Sequence, residues 1–157
     1  MSKKNIFLFV IFLFVVSCHQ SDIYFQYKNI PQNNWHKDSS LIFNCYIEKK
    51  EIPYNIYLHI RHQGNYPYQN MWLFLQQDNP DSVSIKDSVE VFLANQYGKW
   101  LGSGAGSLKE MPVLYKQSVY FPDTGTYDLE IKQGMRDDLL RGISSVGVRI
   151  ENANGVR

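Results

Sequence analysis

The chain has 157 residues, a formal charge of +1, and 15% aromatic side chains that include 11 Tyr and 9 Phe. That length is one domain's worth, and near-neutrality removes the electrostatic case for binding nucleic acid or anionic lipid. The only cysteines are Cys18 and Cys45, which excludes a CxxC pair, a Cys/His finger and a haem motif.

Residues 1–17 have the parts of a bacterial export signal. Lys3 and Lys4 are the positive end, and Ile6 to Val16 is an unbroken apolar run of 11 residues. A helix of that length rises only about 16 Å, too short for a hydrocarbon core of about 30 Å, so a cleaved signal helix is expected and not a membrane span. The run ends in Val15-Val16-Ser17-Cys18, the lipobox pattern of bacterial lipoproteins. In that chemistry the Cys18 thiol takes a diacylglycerol, the preceding bond is cut, and the new amine is acylated. One acyl chain binds a membrane marginally, whereas two or three anchor it. Cleavage after Ser17 leaves 140 residues and removes two lysines and no acids, so the charge becomes −1. Cys45 then has no disulfide partner. The expected organisation is a signal peptide over 1–17, a lipid-anchored tether and first strand over 18–34, and a β-sandwich domain over 35–157.

Beyond the polar residues 19–22, Ile23 to Tyr27 reads as a first strand and Asn29 to Asn34 as a turn-rich connection. From Leu41 the period is two. Leu41, Phe43, Cys45 and Ile47 share a face, which makes Cys45 a buried thiol. Tyr54 to His62 alternates as a half-buried strand, and Met71 to Leu75, apolar throughout, reads as a strand buried on both faces. Ser88 to Ala94 turns Val89, Val91 and Leu93 inward. Val113 to Phe121 follows a glycine-rich loop, Gly102 to Ser107, and Tyr127, Leu129 and Ile131 line the next inner face. Asp137 to Arg141 reads as one helical turn stopped by Gly142, and Val146, Val148 and Ile150 complete the sheet. Eight or nine short strands without an amphipathic helix point to an all-β fold, a single antiparallel β-sandwich of jelly-roll or immunoglobulin-like type.

Chemistry-bearing constellations are scarce. His59 and His62 lie an odd number of residues apart on one strand, so they face opposite ways and cannot share a metal ion, and His36 is isolated in a loop. The loop from Gly102 to Ser107 lacks the GK[ST] ending of a phosphate-binding loop. It reads as a flexible hairpin or a close backbone contact. No GxSxG elbow is present, and the adjacent Asp137 and Asp138 diverge where a glycosidase needs two facing carboxylates. Aromatic loop residues remain: Tyr66, Tyr68, Trp72 and Trp100. These are candidates for a protein interface or for stacking on sugar rings, and equally for core edges.

Tyr54-Asn55-Ile56, Arg61-His62 and then Tyr66-Pro67, Asn70 and Trp72 resemble the pattern YNIxxxxRH…YPxxNxW of the gliding motility lipoprotein GldH family. Gly98 to Gly104 resembles its glycine loop, Phe121 to Gly134 its FxxxGxYxxxIxQ strand, and Met135 to Gly147 its MRxDxLxGIxxVG segment. Ser145 stands where an acid is expected, and Met71 where Leu is. The resemblance covers roughly residues 23–151. It implies a cell-envelope lipoprotein required for gliding, acting beside other gliding lipoproteins or the type IX secretion machinery. It brings no catalytic residues, no metal and no cofactor besides the diacylglycerol and N-acyl lipid on Cys18. Residues 19–22 carry no clear acidic export tag, which favours the periplasmic face of the outer membrane. The alternative is an envelope glycan-binding β-sandwich module.

Overall fold

A computed structural model describes residues 22–155; the signal helix expected over 1–17 and Cys18 lie outside the described residues. Ten strands run in the order β1 (Asp22–Asn29), β2 (Asn34–His36), β3 (Leu41–Ile47), β4 (Tyr54–Gln63), β5 (Asn70–Asp78), β6 (Ser84–Phe92), β7 (Leu108–Val119), β8 (Gly125–Gln133), β9 (Leu139–Arg141) and β10 (Ile143–Asn152). Sheet I has the order β1-β10-β4-β7 and sheet II the order β3-β8-β5-β6, while β2 and β9 form a separate ribbon. All pairings are antiparallel, so the all-β, antiparallel expectation holds.

The two sheets share one core, as their alternation requires. Phe43, Cys45 and Ile47 of β3, Leu73 and Leu75 of β5 and Ile131 of β8 meet Ile56, Leu58 and Ile60 of β4 and Val146 and Val148 of β10. β1 lies against β3, and at the other side Tyr115 of β7 donates to Asp87 of β6 at 2.9 Å. Cys45 is a buried free thiol, and burial pushes its pKa up to about 12.

Four local expectations are corrected. Leu139–Arg141 is a strand and not a helical turn. It pairs with β2 in the register Trp35↔Leu140, and both of those side chains are buried. A single helical turn has an unfavourable nucleus, and burying a Trp against a Leu outweighs it. Gly142 still ends the element, with φ +87. Met71–Leu75 is buried on one face only: Met71, Leu73 and Leu75 point inward, while Trp72 and Phe74 are exposed. Conversely β4 is covered on both faces, because Asn55 and His59 on its outer side are also buried. His36 lies on β2 and not in a loop.

The glycine-rich segment makes a close backbone contact. Ser103 and Glu110 exchange hydrogen bonds, N–H to O, of 3.0 and 2.7 Å. A Cβ at Gly102 would stand 2.5 Å from the Glu110 carbonyl oxygen, and one at Gly104 2.2 Å from that of Leu108. The loop therefore lies flat on the free edge of β7, where Pro112 also removes a donor. Leu58 is fully buried between the sheets, so Leu58→Ala is expected to cost about 2–5 kcal/mol, read as a lower urea midpoint with an unchanged slope.

Candidate functional site

The four aromatic residues singled out in the sequence are brought into one neighbourhood but play unequal parts. Trp100 packs on His62 at 4.5 Å between ring centroids, His62 on Tyr66 at 6.0 Å, and Tyr66 on Tyr68 at 5.8 Å. Tyr66 is a core residue whose hydroxyl donates to the Asn70 carbonyl at 2.9 Å. Tyr68 and Trp100 are half-buried against the core. Tyr68 donates to Asp137 at 2.8 Å, and burial of His62 lowers its pKa, keeping the imidazole neutral. Only Trp72 points outward, at 39% exposure. With Tyr68, Gly134, Met135 and Arg136 it lines a shallow cleft of about 290 Å³.

Trp72 is one corner of a larger apolar face. Phe74, two residues on along β5, is 54% exposed, and Phe92, paired with Asn70 at the end of β6, is 58% exposed. All three stand on the outer side of sheet II. The neighbouring Gly134 leaves room for Trp72 and Phe74, since a Cβ there would meet the Phe74 ring at 3.1 Å and the Trp72 Cβ at 3.3 Å. Phe74 escapes a reading of Met71–Leu75 as buried on both faces. The inward set Val89, Val91 and Leu93 is the signal that places Phe92 outward.

A second constellation, absent from the sequence reading, covers the outer side of sheet I. Glu110 of β7 accepts hydrogen bonds from the Tyr27 hydroxyl at 2.6 Å and Arg61 Nε at 2.7 Å, and its Oε1 is 2.8 Å from His59 Nδ1. Arg61 lies over the Tyr27 ring at 3.8 Å, and Phe25 packs on His59 at 4.9 Å. Burial alone would raise the Glu110 carboxyl, but the hydrogen bonds from Tyr27, His59 and Arg61 outweigh it and hold its pKa at about 2. Arg61 and Glu110, with the glycine loop, border an open basin of about 460 Å³. Among the described residues His59 Nε2 has no partner, and these groups join β1, β4 and β7 as a structural brace. Among the described residues no three His, Cys, Asp or Glu side chains gather to hold a metal ion, and no helix is long and apolar enough to cross a membrane.

Two predictions separate support from surface. A depressed carboxylate pKa contributes stability that is full above the ordinary value of 4.5 and lost as the pH falls towards about 2. Glu110→Gln is therefore expected to lose about 1 kcal/mol at neutral pH, discounted for partial exposure, with the gap to wild type closing under acid in urea titrations at each pH. Tyr66→Ala removes a buried ring and is expected to cost about 3 kcal/mol, whereas Trp72→Ala stays within about 0.5 kcal/mol in the same assay.

The profile of the GldH lipoprotein family matches residues 22–150, nearly the whole described body. A gliding motility lipoprotein GldH homolog of Christiangramia forsetii is 35% identical over 156 residues, covering 95% of this chain and 94% of that protein. The gliding motility lipoprotein GldH of Flavobacterium johnsoniae is 31% identical over 156 residues, covering 95% and 96%. With a family profile spanning both sheets and relatives aligned end to end, the chain belongs to the GldH lipoprotein family.

Proposed function

We propose that this chain is a lipid-anchored β-sandwich of the cell envelope, required for gliding motility as a non-enzymatic accessory component. Its export signal over 1–17 is cleaved, and Cys18 carries the diacylglycerol and N-acyl lipid. The anchor lies in the outer membrane, facing the periplasm. Its partners are other gliding lipoproteins or components of the type IX secretion apparatus. The observation that carries the binding role is the outer face of sheet II. Trp72, Phe74 and Phe92 hold large rings in water on one side of a regular sheet, and aromatic residues of this kind anchor protein interfaces. Membership of a family whose relatives are named for gliding motility supplies the biological setting.

A second reading rests on the cleft where Trp72 and Tyr68 flank Gly134 beside Arg136. An aromatic pair with a nearby guanidinium suits a sugar ring, as an envelope glycan-binding module would require. Burial of Tyr66 and partial burial of Trp100 leave this cleft few exposed rings.

Affinity purification of the tagged protein from its native envelope after mild crosslinking distinguishes the two. Gliding or secretion proteins are expected to co-purify, to be lost with Cys18→Ser, and to be depleted with the double change Trp72→Ala and Phe74→Ala while the melting temperature holds. Recovery of polysaccharide without protein partners would favour the glycan reading and overturn the first.

A further inference from the structure

We propose that the outer face of sheet I rests on the lipid surface, with Phe25 seated among the headgroups and Leu114 carrying the contact to the far edge of the sheet. This rests on the anchor at Cys18 and goes beyond it, because an anchor alone leaves the orientation of the domain open.

The tether is the first constraint. Cys18 and Asp22, where β1 begins, are four residue steps apart. Four extended residues reach at most about 14 Å. A headgroup layer is itself several ångströms deep, from the difference between about 30 Å of hydrocarbon and about 40–45 Å of whole bilayer. The start of β1 is therefore held against the membrane, and β1 is an edge strand of sheet I.

The second constraint is what β1 presents there. Phe25 is 46% exposed, and Ile23 beside it is also exposed. The register continues this row across the sheet as Phe25↔Arg149, Arg149↔Tyr57 and Tyr57↔Leu114. Tyr57 is half-buried and Leu114 exposed. The Arg149 guanidinium lies over the Tyr57 ring at 4.5 Å. It pairs with Glu151 at 2.6 Å and stands 3.5 Å from Asp22. On the next rows Arg61 is matched by Glu110. The face thus exposes apolar side chains at its two edge strands, while Arg149 and Arg61 between them are engaged by Asp22, Glu151 and Glu110. Such a surface needs no anionic lipid, and it suits the interfacial zone, where aromatic and amphipathic side chains are at home.

The third consideration is why so small a patch suffices. A short tether turns docking into an intramolecular event at an effective concentration in the millimolar range. A patch too weak to bind vesicles from solution is occupied once Cys18 is in the bilayer. The outer face of sheet II belongs to the other layer and is not on the strand that the tether enters. Docking of sheet I leaves Trp72, Phe74 and Phe92 free for a protein partner.

The test uses the full lipidated chain in phosphatidylethanolamine vesicles. With Cys18 acylated and Cys45 buried, Phe25→Cys introduces a single reactive thiol for an environment-sensitive fluorophore. Leu114→Cys reports on the same face should the first change disturb β1, and Phe74→Cys reports on sheet II. Nitroxide-bearing lipids are expected to quench the labels at 25 and 114 several-fold more than the label at 74. Equal quenching at all three sites, or the strongest at 74, in vesicles that carry the protein through flotation would overturn the docked orientation alone. Failure of the protein to float with vesicles would overturn the anchor and the orientation together.

Discussion

The outer layer of sheet I depends on a missing side chain. Gly147 of β10 lies in register between Tyr27 and His59, and a Cβ there would come within 2.7 Å of the Tyr27 ring. The gap lets Tyr27 reach over β10 to His59 on β4 and Glu110 on β7. One aromatic ring thereby ties strands that are not neighbours and closes a lid over His59. Without that lid the outer side of β4 would face water as an ordinary half-buried strand does. With it, His59 on the outer side of β4 is buried, and the sandwich has a second, polar layer of cohesion outside its apolar core.

Much of the fold is legible because two-residue alternation in the sequence is a direct image of two-sidedness in the sheet. Leu41, Phe43, Cys45 and Ile47 on β3, and Tyr127, Leu129 and Ile131 on β8, point inward as their spacing indicates. Met71–Leu75 is illegible for the complementary reason. All five residues are apolar, so the pattern has no contrast, and the exposed face emerges only once β5 is placed within its sheet. Leu139–Arg141 is strand because of Asn34–His36, a partner far away in the sequence that no local window contains. The Glu110 brace is hidden in the same way, since its members come from β1, β4 and β7 and meet only when the register is fixed. The aromatic neighbourhood was half visible. Its members could be named, but which of them are core and which are surface is decided by the strands beneath.

The two sheets offer different surfaces to the surroundings. Sheet I has paired charges and a braced, nearly sealed outer side, with its β7 edge covered by the glycine loop. Sheet II carries unbraced rings over a glycine, beside a shallow cleft. The molecule is therefore asymmetric, with a braced, charge-paired surface on one layer and an open aromatic surface on the other.

The position of β10 bears on when the domain can form. β10 lies between β1 and β4, Asp22 pairs with Glu151, and β2 waits for β9. The first strand to emerge from a narrow channel would find its partner only in the last. Long-range pairings of this kind are slow, because loop closure precedes the reward of contact. For a chain threaded across a membrane from its N-terminus, such a topology works as a clock. Whatever delivers the chain, sheet I cannot close around β1 until β10 is available to lie between β1 and β4.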